Sequence, residues 1–272
     1  MTKTRRTVSR IYLALIFLFL YAPIVVLIIF SFNDTKTMSR SVWSGFTFRW
    51  YVRLWEDSLI QEAVWNTVII AVVAALFSTL FGTVAAVGIS HMRGWRKKVV
   101  MNLTNFPMVN PEIVTGVSMM LLFVASIRIA GIGQLGFVTM LIAHTTFNLP
   151  YVILSVLPKF QTLDRTLCEA AMDLGCTPVR TFFRIEVPAV MPGIVSGLIL
   201  GFTLSLDDFV ISHFVSSPDF MTLPLYIYNQ TAHDVKFSMY ALCTIIIIVI
   251  LALLMIINFI GPNRKKKKAV AK

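Results

Sequence analysis

Residues 162–188 read TLDRTLCEAAMDLGCTPVRTFFRIEVP, the longest polar interruption in the second half of a very apolar chain. Leu167, Ala170, Ala171 and Leu174 recur at i, i+3, i+4 and i+7, the spacing of one apolar face on a short helix. Thr166 with Glu169 three positions later can form a capping box, although a start near Thr162 or Asp164 satisfies the same donors. Gly175 suits the left-handed position that ends a helix. Thr177 then caps a second helix, with Pro178 at its first turn. Arg180 and Arg184 share one side of that helix, and Pro188 opens the next apolar run. On helix physics alone three readings stand: a loop whose apolar face lies on a membrane surface, a pair in which Glu169 is only a cap, or a docking element for another chain.

The rest of the chain says what it interrupts. Of 272 residues, 57% are hydrophobic and 14% charged, and the mean hydropathy is +0.80. Soluble domains are about 45–50% apolar, so these figures describe an integral membrane protein and leave no room for a large soluble catalytic domain. The net charge is +11. Its lysines and arginines gather at the ends of apolar runs, which is the placement of topology signals and argues against a nucleic-acid partner. The tail Arg264-Lys265-Lys266-Lys267-Lys268 reads as a basic anchor drawn to anionic lipid. Cys168, Cys176 and Cys243 form neither a paired framework nor a Cys-x-x-Cys motif. The four histidines lack metal-ligand spacing. The N-terminal apolar run exceeds a signal-peptide core and reads as a retained span.

Six spans are expected, at roughly 11–32, 64–90, 99–126, 135–157, 188–212 and 238–260. Pro23 and Pro150 are kink positions, which membrane helices tolerate. The third span should break at Pro107 and Asn110-Pro111, with Asn110 capping the following half-helix. Ala71, Ala75, Ser78, Gly82 and Ala86 make a small-residue stripe that admits a second helix at close range. Trp43, Phe46, Trp50, Tyr51 and Trp55 read as an interfacial belt on a short amphipathic helix, or else as a cation–π box for an amine. The expected domains are 1–62 (first span and extracytoplasmic segment), 63–260 (the transmembrane domain) and 261–272 (basic tail). Six spans put both termini on one side. That side holds 18 of the lysines and arginines and the other holds 6, so both termini and 158–187 are expected in the cytoplasm.

Carboxylates within a bilayer cost roughly 2.5–3.5 kcal/mol each on insertion scales, so each is a functional candidate. Glu112, Asp207 and Asp208 are the three. Glu112 lies just after Asn110-Pro111, where a helix N-terminus would also favour it. Asp207 and Asp208 fall late in the fifth span; they are either a negative wall for a cationic solute, or solvated at the outer mouth, or paired with a partner membrane chain. His144 is intramembrane, without a carboxylate at sequence spacing, and reads as a hydrogen-bonded packing residue.

Glu169-Ala170-Ala171, Gly175, then Ile185-x-Val187-Pro188 resembles the Glu-Ala-Ala signature of permease subunits of bacterial ABC importers, with Val187 in place of Leu. The resemblance narrows with EAAMDLGCTP, SLDDFV at 205–210, TLP at 222–224 and NPEIVTG at 110–116. Together these look like spermidine/putrescine importer permeases over most of the chain. The resemblance implies an all-α fold of six transmembrane helices with a cytoplasmic coupling-helix pair, the type I importer permease fold, in the bacterial inner membrane. It implies ATPase docking through Glu169, Ala170, Ala171, Asp173, Gly175 and Pro178. It further implies a second permease, two cytosolic ATPase subunits that bind ATP-Mg, and an extracytoplasmic polyamine-binding protein. No G-x-x-x-x-G-K-[ST] phosphate loop occurs in the chain, so it is expected to be a transport subunit and not an enzyme, with no cofactor or metal of its own. Alternatives are a permease for iron(III), another cation or a sulfate-type anion, and an ion-gradient secondary transporter, whose sign would be discontinuous spans.

Overall fold

The computed structural model describes residues 3–34, 43–131, 133–233 and 236–260; the basic tail lies outside them. The helices, in order, are α1 (Lys3–Phe30), α2 (Arg49–Glu56), α3 (Ser58–His91), α4 (Gly94–Val109), α5 (Glu112–Ala130), α6 (Phe137–Gln161), α7 (Arg165–Asp173), α8 (Pro178–Thr181), a π turn (Phe182–Glu186), α9 (Val187–Asp207), α10 (Val210–Val215), α11 (Leu223–His233) and α12 (Phe237–Ile260). Among the described residues the only extended pairings are two isolated bridges, Asn33–Phe46 and Ser217–Phe220. Among the described residues, five helical stretches are long and apolar enough to cross a membrane, and Phe237–Ala252 of α12 adds a shorter apolar one.

Two expected spans are corrected. The third begins at Glu112 and not near 99, because α4 is a separate helix carrying Arg96, Lys97 and Lys98. Pro107 sits inside α4 without ending it. The break falls at Asn110-Pro111, where Pro111 removes a backbone donor and biases Asn110 away from helical geometry. Asn110 is extended, and no side chain caps α5. The fifth span, expected to run unbroken to 212, stops at Asp207 and restarts at Val210.

The described residues form two compact units, one within 59–228 and the other within 1–58 together with 229–260. In the second, α2 turns Trp50 and Leu54 inward, as its amphipathic spacing requires. Trp50 stacks on Phe237, with ring centroids 5.5 Å apart, and its indole N–H donates to the Asn33 carbonyl at 2.8 Å. Arg49 and Arg53 lie over the Trp50 ring, so the chain's own cations occupy that aromatic face. Residues 8–26 of α1 are all exposed.

The unit 59–228 is built on a seam between α6 and α9. Gly193, Gly197 and Gly201 repeat every fourth residue of α9 and lie on its buried face. A Cβ on Gly193 would stand 2.9 Å from the Ser155 carbonyl oxygen, and one on Gly197 3.2 Å from Val152. The α3 stripe does what its spacing predicts: Ala71, Ala75, Ser78, Gly82 and Ala86 are all buried. A Cβ on Gly82 would meet Val152 at 2.6 Å. Small residues allow this approach, and dispersion and hydrogen bonding then hold the helices where lipid removes the hydrophobic drive between them. Two apolar cores result. One joins Ile70, Met140, Ala143, Phe147, Ile211 and Val215; the other joins Ala86, Ile89, Val152, Ile153, Val156 and Leu157.

Candidate functional site: a capped hairpin and a broken helix

The first site is the α7–α8 hairpin, and each of its turns has a local cause. Asp164, and not Thr166, caps α7: its Oδ1 accepts from the Thr166 N–H at 3.0 Å and from the Thr166 hydroxyl at 2.8 Å. These two bonds favour the ionised form and hold the Asp164 carboxyl below its ordinary range. At the other end Gly175 has φ +86°. The Gly175 N–H donates to the Met172 carbonyl at 2.9 Å and the Cys176 N–H to the Ala171 carbonyl at 3.0 Å, the bond pair of a Schellman motif. Thr177 Oγ1 then accepts from the Arg180 N–H at 3.4 Å, with Pro178 at the first position of α8. A π turn follows and leads directly into α9.

The hairpin keeps little of its apolar surface for itself. Of the predicted face, Ala171 alone is buried; Ala170 is exposed, and Leu167 and Leu174 are 55% and 87% exposed. The four residues spread over more of the helix circumference than the chain covers. Val179 and Phe183 extend the uncovered surface. Glu169, Asp173, Gly175 and Pro178 are exposed as well. Glu169 borders a cleft of about 370 Å³ that Lys97, His91, Cys168 and Glu186 also line. The Cys168 thiol donates to Glu186 Oε1 at 3.8 Å, linking α7 to the π turn. The Arg165 side chain, a possible partner of Glu169, lies outside the described residues.

The second site is the break between α9 and α10. Asp207 is the last residue of α9 and is exposed. Asp208 turns the other way. Its Oδ1 accepts from the Ile211 N–H at 3.3 Å and its Oδ2 from the Ser212 N–H at 2.8 Å, and its side chain is only 5% exposed. His144 Nε2 stands 3.5 Å from Asp208 Oδ2 and 3.1 Å from Ser212 Oγ. His144 therefore has a carboxylate partner, 64 positions along the chain, that sequence spacing did not nominate. One turn further along α6, Asn148 donates to the Gly201 carbonyl at 3.1 Å and to Ser205 Oγ at 2.7 Å. The available signal was paired: His144 and Asn148 lie four apart, and so do Asp208 and Ser212. Glu112 is exposed at the first turn of α5, where a negative charge is favoured by about 0.3–1 kcal/mol. Among the described residues no group of His, Cys, Asp and Glu is placed to hold a metal ion.

Known proteins share both the sequence and the fold. The chain is 41% identical over 233 residues to the putrescine transport system permease protein PotI of Escherichia coli K12, covering 85% of this chain and 82% of that one. It is 34% identical to the spermidine/putrescine transport system permease protein PotC of the same strain, over 94% of each chain. The PotC of Haemophilus influenzae is 38% identical over 92% of this chain and 94% of the other. A solved bacterial ABC transporter that imports the acidic polysaccharide alginate superposes with a TM-score of 0.72, at 16% identity, over 96% of this chain and 99% of that one. Residues 78–266, which include the α6–α9 seam, the hairpin and the break, match the family described as binding-protein-dependent transport system inner membrane component. With that match and these relatives, the chain belongs to the family of binding-protein-dependent transport system inner membrane components.

Proposed function

We propose that this chain is one half of the membrane path of an ATP-driven importer for polyamines, the small polycations of the putrescine and spermidine class. The observation that carries the substrate is identity of 34–41% over most of the chain to permeases of putrescine and spermidine/putrescine systems. The chemistry of the acids agrees. A polycation leaving water loses strong solvation, and a carboxylate on its route offsets part of that loss. Asp207 suits this role. It lies exposed at the C-terminal end of α9, where the helix dipole disfavours negative charge, so helix stability does not account for it. Glu112 is a second exposed acid on the proposed route. Asp208 serves the path indirectly, through the break it caps.

The energy source is another chain. Hairpin residues Glu169, Ala170, Ala171, Asp173, Gly175 and Pro178 form the docking surface for a cytosolic ATPase that binds ATP-Mg. The support is an apolar stripe that the chain leaves uncovered on a doubly capped pair of short helices. The complete importer has a second permease, two ATPase subunits and an extracytoplasmic binding protein that delivers the solute. The excess of basic residues on one side supports a cytoplasmic location for both termini and the hairpin. Domain boundaries at 63 and 260 separate the permease body from the first span and the basic tail.

Reconstitution of the four components in liposomes, with labelled putrescine and spermidine outside, tests the reading. Uptake is expected only with ATP on the ATPase side and only with the binding protein present. Uptake driven by a sodium or proton gradient without ATP overturns it in favour of a secondary transporter. ATP-dependent uptake of iron(III) or sulfate but not of polyamines overturns the substrate.

A further inference from the structure

We propose that His144 is a positioning residue for the solute path: from α6 it fixes the α9–α10 break and thereby sets where Asp207 stands. The inference rests on the reading of Asp207 as a path acid.

The break creates a local problem. Interrupting a helix within an apolar segment frees backbone N–H groups that lipid cannot satisfy. The Asp208 carboxylate takes two of them, from Ile211 and Ser212. That solution buries a negative charge, with the side chain 5% exposed, and a buried carboxylate needs a further partner. The partner is His144, itself 2% exposed, whose Nε2 faces Asp208 Oδ2 and Ser212 Oγ together. An Nε2 that carries hydrogen suits both oxygens, whereas a bare nitrogen would set its lone pair against a carboxylate. Its hydrogen bond goes to Ser212 Oγ, at 3.1 Å; the nearer carboxylate oxygen stands at 3.5 Å.

The same helix holds the chain on the other side of Asp207. Asn148, one turn from His144, binds the Gly201 carbonyl and Ser205 Oγ. Asp207 thus lies between two clamps from α6, on Ser205 two residues before it and on Asp208 one residue after it. Gly193, Gly197 and Gly201 seat α9 closely on α6. With His144 gone, the buried Asp208 side chain loses its partner from α6, which lets the last turn of α9 move relative to α6. His144 touches no solute in this scheme; it acts through Asp208.

The test reads the position of residue 207 directly. In a D207C protein with Cys168, Cys176 and Cys243 replaced by serine, assembled with its partner subunits in membrane vesicles, the rate of labelling by a membrane-impermeant maleimide is measured. H144Q retains an N–H donor and is expected to label within about twofold of the His144 protein. H144M, of similar volume but with no donor, is expected to change the rate at least fivefold. Equal rates in all three proteins overturn the proposal, as do equal shifts for H144Q and H144M, or a D207C protein that does not label. Should H144M fail to assemble, D208N breaks the same contact from the other side with an isosteric group, and the same outcomes apply. Labelling requires no transport, so the two readings fail separately. Unchanged polyamine uptake by D207N removes Asp207 from the path even where labelling responds to His144.

Discussion

The α6–α9 seam and the α7–α8 hairpin both depend on small residues, for opposite reasons. At Gly193 glycine answers a demand for space: a Cβ would stand 2.7 Å from Lys159 Cγ and 2.9 Å from the Ser155 carbonyl oxygen. The Gly193 backbone itself is helical and any residue could adopt it. At Gly175 there is nothing within 4 Å of a Cβ, and the demand is a φ of +86°. The seam closes on itself and completes the body of its unit. The hairpin spends its glycine on a bend, and the bend presents Leu167, Ala170 and Leu174 outward. A motif of small residues can therefore mark an interface already made within the chain or one awaiting another chain. Fractional exposure, not composition, separates the two.

The strongest break in this comparison is Gly193→Leu. The Ser155 carbonyl belongs to the α6 backbone and cannot yield without disturbing that helix. Overpacking of this kind costs about 1–3 kcal/mol, and more where backbone is the obstacle. Little folded protein is expected after mild detergent extraction, read as loss of the monodisperse peak in size-exclusion chromatography. Near-normal recovery would mean that the seam tolerates a separation that its contacts do not allow.

Gly175→Val sharpens the other side and is expected to be milder. A β-branched residue in left-handed geometry costs about 1–2 kcal/mol, against open space and no clash. The chain should insert and fold, because the strain is local to the hairpin. What falls is the population with the correct angle between α7 and α8, by roughly 5- to 30-fold at that energy. Retention of the ATPase on the purified permease pair should fall with it. Gly175→Asn, which tolerates φ above zero, should restore most of the retention. Equal loss in the valine and asparagine variants would move the cause from backbone geometry to contact at residue 175.

Much of this was legible in the chain. The spans follow from hydropathy, the hairpin joints from Gly175, Thr177 and Pro178, and the α3 stripe from its spacing, because each is set within about one helical turn to a few. The helix start shows the limit. Thr166 with Glu169 and Asp164 with Thr166 offer equivalent local chemistry, and the folded chain uses Asp164. The break at 207–210 was hidden for another reason. Nothing local stops α9 at Asp207: no proline or glycine lies there, and Phe209 and Val210 continue an apolar pattern. Capping by Asp208 is affordable because His144 supplies a partner from 64 residues away, and such a pairing is a property of the packed helices. The glycine repeat at 193, 197 and 201 was present in the letters as a four-residue period, but its use depends on α6 lying opposite.

The smallest expected effect tests how far the hairpin is set by its own caps. The Asp164 carboxyl is held below its ordinary range by two hydrogen bonds from Thr166. A group whose folded pKa is depressed contributes stability above its unfolded pKa and loses it as the pH falls through the folded pKa. The first turn of α7 should therefore be best protected near neutrality and should fray as acid protonates Asp164. Hydrogen exchange of the Thr166–Cys168 amides, corrected for the intrinsic pH dependence of exchange, would record this. Asp164→Asn keeps a capping oxygen but cannot titrate, so its protection should be flat across the same range. Asp164→Ala should be frayed at every pH. Parallel profiles for the wild-type protein and Asp164→Asn would mean that α7 is held by packing of Ala171 and Cys168 against the body. The hairpin would then resemble the seam more closely than its exposed face suggests.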